Sequence, residues 1–160
     1  MWLQSFEVGN LKALSHMTSL RRVQLLEADG APYDLVLAGD SRGYADLMTP
    51  AGLAGIAGYA QAIGPPKAAI IPRRFDDSLG EPTQLVTHAH QAGLAVHPWT
   101  FRAENSFLPR ELRLGTDPAA HGQLQEEICR FLGAGIDGFF TDQPDIGFAA
   151  RAAFARGARA

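Results

Sequence analysis

Short apolar runs alternate with stretches of helical period along this chain, and that alternation limits its fold more than any other feature. Trp2 to Glu7 is the first strand candidate, and Val8, Leu11 and Leu14 follow at helical spacing. Arg21 to Ala28 (RRVQLLEA) reads as a second strand. The polar, Gly-rich stretch from Asp29 to Met48 reads as a loop, with a short hairpin or strand at Leu35 to Leu37. Thr49-Pro50 is a helix start: Thr caps exposed amides, and Pro loses nothing at the first helical position. Leu53, Ile56 and Tyr59 or Ala60 then share a face, while Gly52, Gly55 and Gly58 thin one side for close packing. Ala62 to Pro65 and Ala68 to Ile71 are short strand-like runs. A helix opens at Pro82 and ends at Gly93, a residue suited to a left-handed stop. Ala95 to Phe101 is a strand, and Gln123 to Leu132 a helix with Leu124, Ile128, Phe131 and Leu132 on its stripe and Glu126, Glu127 and Arg130 outside it. Asp137 to Thr141 is the last strand and Ile146 to Arg156 the last helix.

This pattern predicts an α/β protein with a parallel sheet. Periodicity leaves two architectures open, an open sheet or part of a (β/α)8 barrel. A whole barrel takes roughly 250 residues; the 160 here fall short by about three or four β/α units. With 46% hydrophobic and 19% charged residues, the chain has the make-up of a globular domain. A net charge of -3 without any run of Lys or Arg gives no footprint for nucleic acid or an anionic membrane. No apolar stretch is long enough for a transmembrane helix, and the N-terminal residues lack the pattern of a signal peptide. Cys129, the single cysteine, has no internal disulfide partner and reads as a core thiol.

In parallel α/β folds, functional side chains sit where strands end and loops begin. Here those positions are Gln4 to Glu7, Gln24, His97 to Arg102, and Thr141 to Asp145. Each carries two readings. Glu7 either serves the rim or favours a helix N-terminus. Gln24 is a satisfied core amide or a pocket donor. Asp142 caps a turn or faces the rim. His97 is structural or contacts substrate. Trp99 and Phe101, on one side of a strand by alternation, wall a pocket or fill a core. Arg102 is a solvated arginine or a phosphate fork. His88 and His90, two apart on a helix, do not share a face and so do not make a metal pair. The long connection from Arg102 to Gln123, with Phe107, Leu108 and Leu112 as apolar anchors, is expected to be an ordered loop over the pocket mouth.

Taken in order, these pieces resemble the glycerophosphodiester phosphodiesterases, and most closely their periplasmic or secreted bacterial branch. The resemblance rests on QSFE (4–7), VQLL (23–26), LMTPAGL (47–53), IGP (63–65), AGL (92–94) running into HPWTFR (97–102), Glu104-Asn105 with FLP (107–109), and GIDGFFTD (135–142) followed by Pro144-Asp145. It implies a TIM-type barrel that hydrolyses glycerophosphodiesters to glycerol 3-phosphate and an alcohol, using Ca²⁺ or Mg²⁺ and two histidines as acid and base. The family's His-Arg-Gly, Glu-x-Asp and Glu-Ile-Lys elements precede the QSFE segment, and neither His-Arg-Gly nor Glu-Ile-Lys occurs in this sequence. The expectation is therefore that residues 1–160 form a partial domain, the C-terminal half of the barrel. It would have four to five parallel strands with intervening helices, no catalytic residues or metal ligands of its own, and no tightly bound cation. Gln4, Phe6, Gln24, His97, Trp99, Phe101 and Arg102 are the implied substrate-binding residues. The expected partners are a glycerophosphodiester and either the missing N-terminal half or a second copy, since a half-barrel leaves strand edges open. A non-catalytic half-barrel that binds or assembles around glycerophosphoryl ligands is the alternative.

Overall fold

The computed structural model describes residues 1–157. Its elements are β1 (Trp2–Ser5), α1 (Val8–Met17), β2 (Arg21–Leu25), α2 (Tyr33–Leu37), α3 (Tyr44–Leu47), α4 (Pro50–Ala57), β3 (Ala62–Gly64), α5 (Leu85–Gln91), β4 (Ala95–Val96), α6 (Leu124–Gly133) and α7 (Pro144–Gly157). The four strands pair in parallel in sequence order, β1-β2-β3-β4. The registers align Gln4 with Val23 and Ala62, and Gln24 with Ile63 and Val96. Residues 137–142 continue the sheet beyond β4 in irregular form. Asp137 N donates to Val96 O (3.0 Å), Phe140 N to Pro98 O (2.9 Å), and Phe101 N to Phe140 O (2.9 Å). A single parallel bridge joins Phe101 and Thr141.

Each strand is laid beside the one before it, and strand twist accumulates in one sense across the sheet. A flat sheet would hold β1 and β4 roughly 14 Å apart. Instead the Phe6 and Trp99 rings lie 6.1 Å apart and those of Trp2 and His97 5.0 Å apart. The sheet is thus curled as in a barrel and left unclosed, which is the partial-barrel architecture the alternation allowed. Its convex face takes the helices. Leu11, Leu53, Ile56, Ala89, Ile128 and Phe131 pack there with almost no exposure. Among the described residues no helix is long and apolar enough to cross a membrane.

Local signals act where they were expected. Thr49 Oγ1 accepts from Gly52 N (3.1 Å) at the start of α4, and Gly93 adopts φ 77° beyond α5. Of the three regularly spaced glycines, Gly52 alone sits in a tight contact. A Cβ there would lie 2.2 Å from Asp46 O and 2.6 Å from Leu47 Cα, whereas one on Gly55 would meet nothing within 4 Å.

The structure corrects several expectations. Leu35 to Leu37 belongs to α2, not to a strand; Asp34 N, at its first turn, donates to Glu7 Oε2 (2.6 Å). Glu7 therefore serves the start of α2 instead of the helix that follows it directly. Ala68 to Ile71 overlaps a 3-10 turn (Lys67–Ala69); the regular strand ends at Gly64, and pairing continues only as an isolated bridge between Pro66 and Trp99. Regular strand geometry between Ala95 and Phe101 covers only Ala95–Val96. Glu127, placed outside the apolar stripe of α6 by periodicity, is fully buried.

Alanine at Gly52 is expected to destabilise the chain by about 1–3 kcal/mol, because the clash is with backbone. Alanine at Gly55 is expected to be stabilising by up to about 1 kcal/mol. Urea unfolding of the two variants checks this, and equal effects would contradict the close-packing assignment.

Candidate functional site

The C-terminal ends of the strands meet at a groove of about 330 Å³, open to solvent. Gln4 and Phe6 enter it from β1, Leu25 from β2, Trp99 and Thr100 from beyond β4, and Phe140, Thr141 and Asp142 from the last segment. Trp99 is fixed twice, by its indole donating to Gly64 O (2.8 Å) and by edge-to-face packing on Phe6. Both constraints leave part of its face towards the groove. Thr141 and Asp142 hold their place because Gln143 folds back: its Oε1 accepts from Ala103 N (2.9 Å), and its own N–H donates to Thr141 Oγ1 (3.1 Å).

A second recess of about 540 Å³ opens from the same concave face, lined by Trp2, Gln4, Val23, His97 and residues 137–140. His97 packs against Trp2 and against Gly138, where a Cβ would approach His97 Cδ2 to 2.9 Å. Burial lowers the imidazole below its ordinary pKa, with Asp137 opposing the shift. Burial thus favours the uncharged imidazole.

Arg102 stands at the side of the groove. Its Nη2 donates to Glu104 Oε1 (2.9 Å), and its Nε lies 3.2 Å from Asp142 Oδ2. That second contact is an ion pair without hydrogen-bond alignment, and Nε is left buried and unpartnered. The guanidinium stacks 4.0 Å from the Phe107 ring.

Two of the sequence-derived site residues lie elsewhere. Gln24 is fully buried on the helix side, where its amide donates to Phe6 O (2.9 Å) and Leu25 O (3.0 Å) and accepts from Tyr59 Oη (2.8 Å). Burial raises the Tyr59 pKa, so the phenol stays a donor. Phe101 is also fully buried, edge-on to Phe131 and Phe139. Strand alternation placed it beside Trp99, but the regular strand has already ended at Val96. The groove thus joins Gln4, Phe6 and Trp99, the recess holds His97, Arg102 borders both Asp142 and the long loop, and Gln24 and Phe101 are structural.

The loop 102–123 is ordered, though none of residues 103–123 lines the groove. Asn105, nearly buried, donates to Leu114 O and Asp117 O (2.8 Å each) and accepts from Leu114 N (2.9 Å). Behind the loop lies a buried ion pair that periodicity concealed. Lys67 Nζ donates to both Glu127 oxygens (2.8 and 2.9 Å) and to Phe107 O (3.1 Å). Burial pushes the Glu127 carboxyl up and the Lys67 ammonium down, and the pairing opposes both shifts. The one sequence signal for it was a lysine set directly after a strand and a Pro-Pro turn.

The groove's donor set does not fit the Ca²⁺ or Mg²⁺ of the resemblance. Such hard cations take about six or more oxygens. Among the described residues no three His, Cys, Asp or Glu side chains converge, and Asp142 is the only carboxylate on the groove lining. What the arrangement offers is an aromatic wall (Phe6, Trp99), neutral donors and acceptors (Gln4, Thr100, Thr141) and a bordering guanidinium. That combination, with the Asp142 carboxylate on the lining, suits a small polar ligand with a short carbon skeleton.

Comparison with known proteins identifies the family. The model of the glycerophosphoryl diester phosphodiesterase family matches residues 1–146. Glycerophosphodiester phosphodiesterase GDPD6 of Arabidopsis thaliana is 34% identical over 143 residues, which is 89% of this chain and 35% of that protein. Two crystal structures provisionally designated glycerophosphoryl diester phosphodiesterases share the fold. One, from Agrobacterium tumefaciens, has 18% identity and a TM-score of 0.54 over 96% of this chain and 44% of its own. The other, from Silicibacter pomeroyi, has 20% identity and a TM-score of 0.57 over 96% and 38%. The chain therefore spans less than half the length of these relatives.

Two outcomes test the site's electrostatics. Because the folded pKa of His97 is lowered, its contribution to stability is present above the unfolded value of about 6.5 and is lost as pH falls through the folded pKa. His97→Gln should flatten the pH dependence of unfolding free energy over that window, and an unchanged slope would contradict the assignment. Glu127→Leu strands a buried ammonium and should cost about 3–5 kcal/mol, most of it recovered in the double variant with Lys67→Met. Chemical denaturation of Glu127→Leu, Lys67→Met and the double variant gives the coupling.

Proposed function

The chain belongs to the glycerophosphoryl diester phosphodiesterase family, and we propose that it supplies the substrate-holding wall of a glycerophosphodiester hydrolase. On this reading the complete barrel releases glycerol 3-phosphate and an alcohol. The groove of this chain grips the glycerophosphoryl group, and the acid, base and metal ligands come from further β/α units. The observation that carries the reading is the convergence of Gln4, Phe6, Trp99, Thr100 and Thr141 at the strand C-termini, with Arg102 in contact with Asp142 of the same lining. Parallel α/β folds bind their ligands at that rim. The HPWTFR and GIDGFFTD segments support a place in the periplasmic or secreted bacterial branch.

The chemistry of the wall follows from its groups. A phosphodiester carries one negative charge spread over two oxygens, which a guanidinium fork pairs with geometrically. The glycerol carbons gain from contact with Phe6 and the Trp99 face, while its hydroxyls find Gln4 and the two threonines. His97, its uncharged form favoured by burial, can donate or accept one hydrogen bond without adding charge. None of these groups lies in a dyad able to activate water, so the wall by itself binds and orients. The open edge of β1 is where the further units would pair.

Calorimetry on the 160-residue chain tests this. Glycerol 3-phosphate should bind, Trp99→Ala should abolish measurable binding, and Arg102→Lys should weaken it more than the retained charge suggests, by roughly tenfold. Glycerophosphocholine should not be hydrolysed, with or without Ca²⁺. Turnover would contradict the division of labour, and no binding would contradict the groove.

A further inference from the structure

Phe107 and Arg102 belong to one mechanical unit. The Arg102 guanidinium carbon lies over the Phe107 ring, 4.0 Å from its centroid, a separation at which cation and ring quadrupole attract. On either side, Glu104 takes Nη2 and Asp142 sits beside Nε, which leaves Nη1 without a hydrogen bond among the described residues. The ring is itself held from behind. Phe107 O accepts from both Lys67 Nζ and Arg73 Nη2, and the next carbonyl, Leu108 O, accepts from Arg73 Nη1 (3.0 Å) and Arg113 Nε (3.0 Å). Lys67 is anchored in turn by the fully buried Glu127. Three cations thus grip two successive peptide carbonyls of a surface loop. A loop that needed only to cover the core would be held by Leu108 and Leu112, which are already buried.

We propose that Phe107 is the positioning residue for Arg102: anchored through its backbone by Lys67 and Arg73, its ring holds the guanidinium beside Asp142 at the groove's edge, where it can meet a phosphate oxygen. The proposal rests on the glycerophosphoryl reading of the groove and deepens it. A free arginine side chain loses rotamer entropy when it binds a ligand, and a guanidinium already stacked has lost most of it beforehand. Phe107 acts through Arg102 and touches no ligand.

The test uses the 160-residue chain with Phe107→Leu and the conservative Phe107→Trp. Phe107 is 39% exposed, so neither change empties the core. Arginine side-chain NMR should show the Arg102 Nε–H displaced upfield by the ring and its Nε–Cζ rotation slowed in the wild type. Both signatures should vanish in Phe107→Leu and return in Phe107→Trp, with Tm unchanged. In calorimetry with glycerol 3-phosphate, Phe107→Leu should weaken binding roughly threefold to tenfold and Phe107→Trp should restore it. An Arg102 signal identical in wild type and Phe107→Leu overturns the proposal whatever the ligand does. Equal affinity of wild type and Phe107→Leu overturns it while leaving the groove reading intact. A wild type that binds no glycerol 3-phosphate brings down the groove reading, and the proposal with it.

Discussion

Parallel pairing in strict sequence order is the constraint on which this structure depends. Each β/α step adds a strand beside the last with the same sense of twist, and the sheet curls until β1 faces the chain beyond β4. The contacts of Phe6 with Trp99 and of Trp2 with His97 exist only because of that curvature. Parallel direction brings every strand's C-terminal end to one rim, so residues nearly 140 positions apart in sequence, such as Gln4 and Asp142, line one groove.

Polar groups buried around the sheet hold that geometry in place. Gln24 ties the backbone at the ends of β1 and β2 to Tyr59, and Arg22 bridges to Tyr59 O (2.7 Å) and Leu20 O (2.8 Å). Asn105 and the Lys67–Glu127 pair do the same for the long loop. Such groups add less net stability than apolar ones of equal volume, because desolvation offsets most of the gain. What they impose is a cost on every alternative arrangement, since a buried amide or charge that loses its partner is penalised by several times what the pair contributes. The rim stays in register for that reason.

Much of the fold was legible in the sequence because it depends on local rules. The Thr49-Pro50 cap, the left-handed Gly93 and the stripe of α6 each follow from a few neighbouring residues. Alternation left an open sheet or part of a barrel, and the resemblance carried by ordered motifs such as HPWTFR pointed to the partial barrel and the family. The site was less legible. Gln4, Phe6 and Trp99 meet as their positions at strand ends suggested, but Gln24 and Phe101 turn away from the groove for reasons that no local rule contains. Gln24 finds Tyr59, 35 residues on, and Phe101 follows a strand that has already lost its period. Glu127 was misplaced because a helical stripe predicts burial of apolar groups and cannot announce a lysine arriving from another segment. Leu35 to Leu37 became a helix because a distant carboxylate, Glu7, accepts from its first turn.

Whether the curled sheet's rim is the proposed glycerophosphoryl-binding wall is decided by an NMR titration of the 160-residue chain with glycerol 3-phosphate. The two tryptophans give internal reporters on the concave face, Trp99 in the groove and Trp2 in the neighbouring recess. The account predicts saturable shifts at the Trp99 indole and at the Thr100, Thr141 and Asp142 amides, with the buried Gln24 side-chain amide unmoved. Shifts confined to the convex, helical face, or none at millimolar ligand, would contradict it.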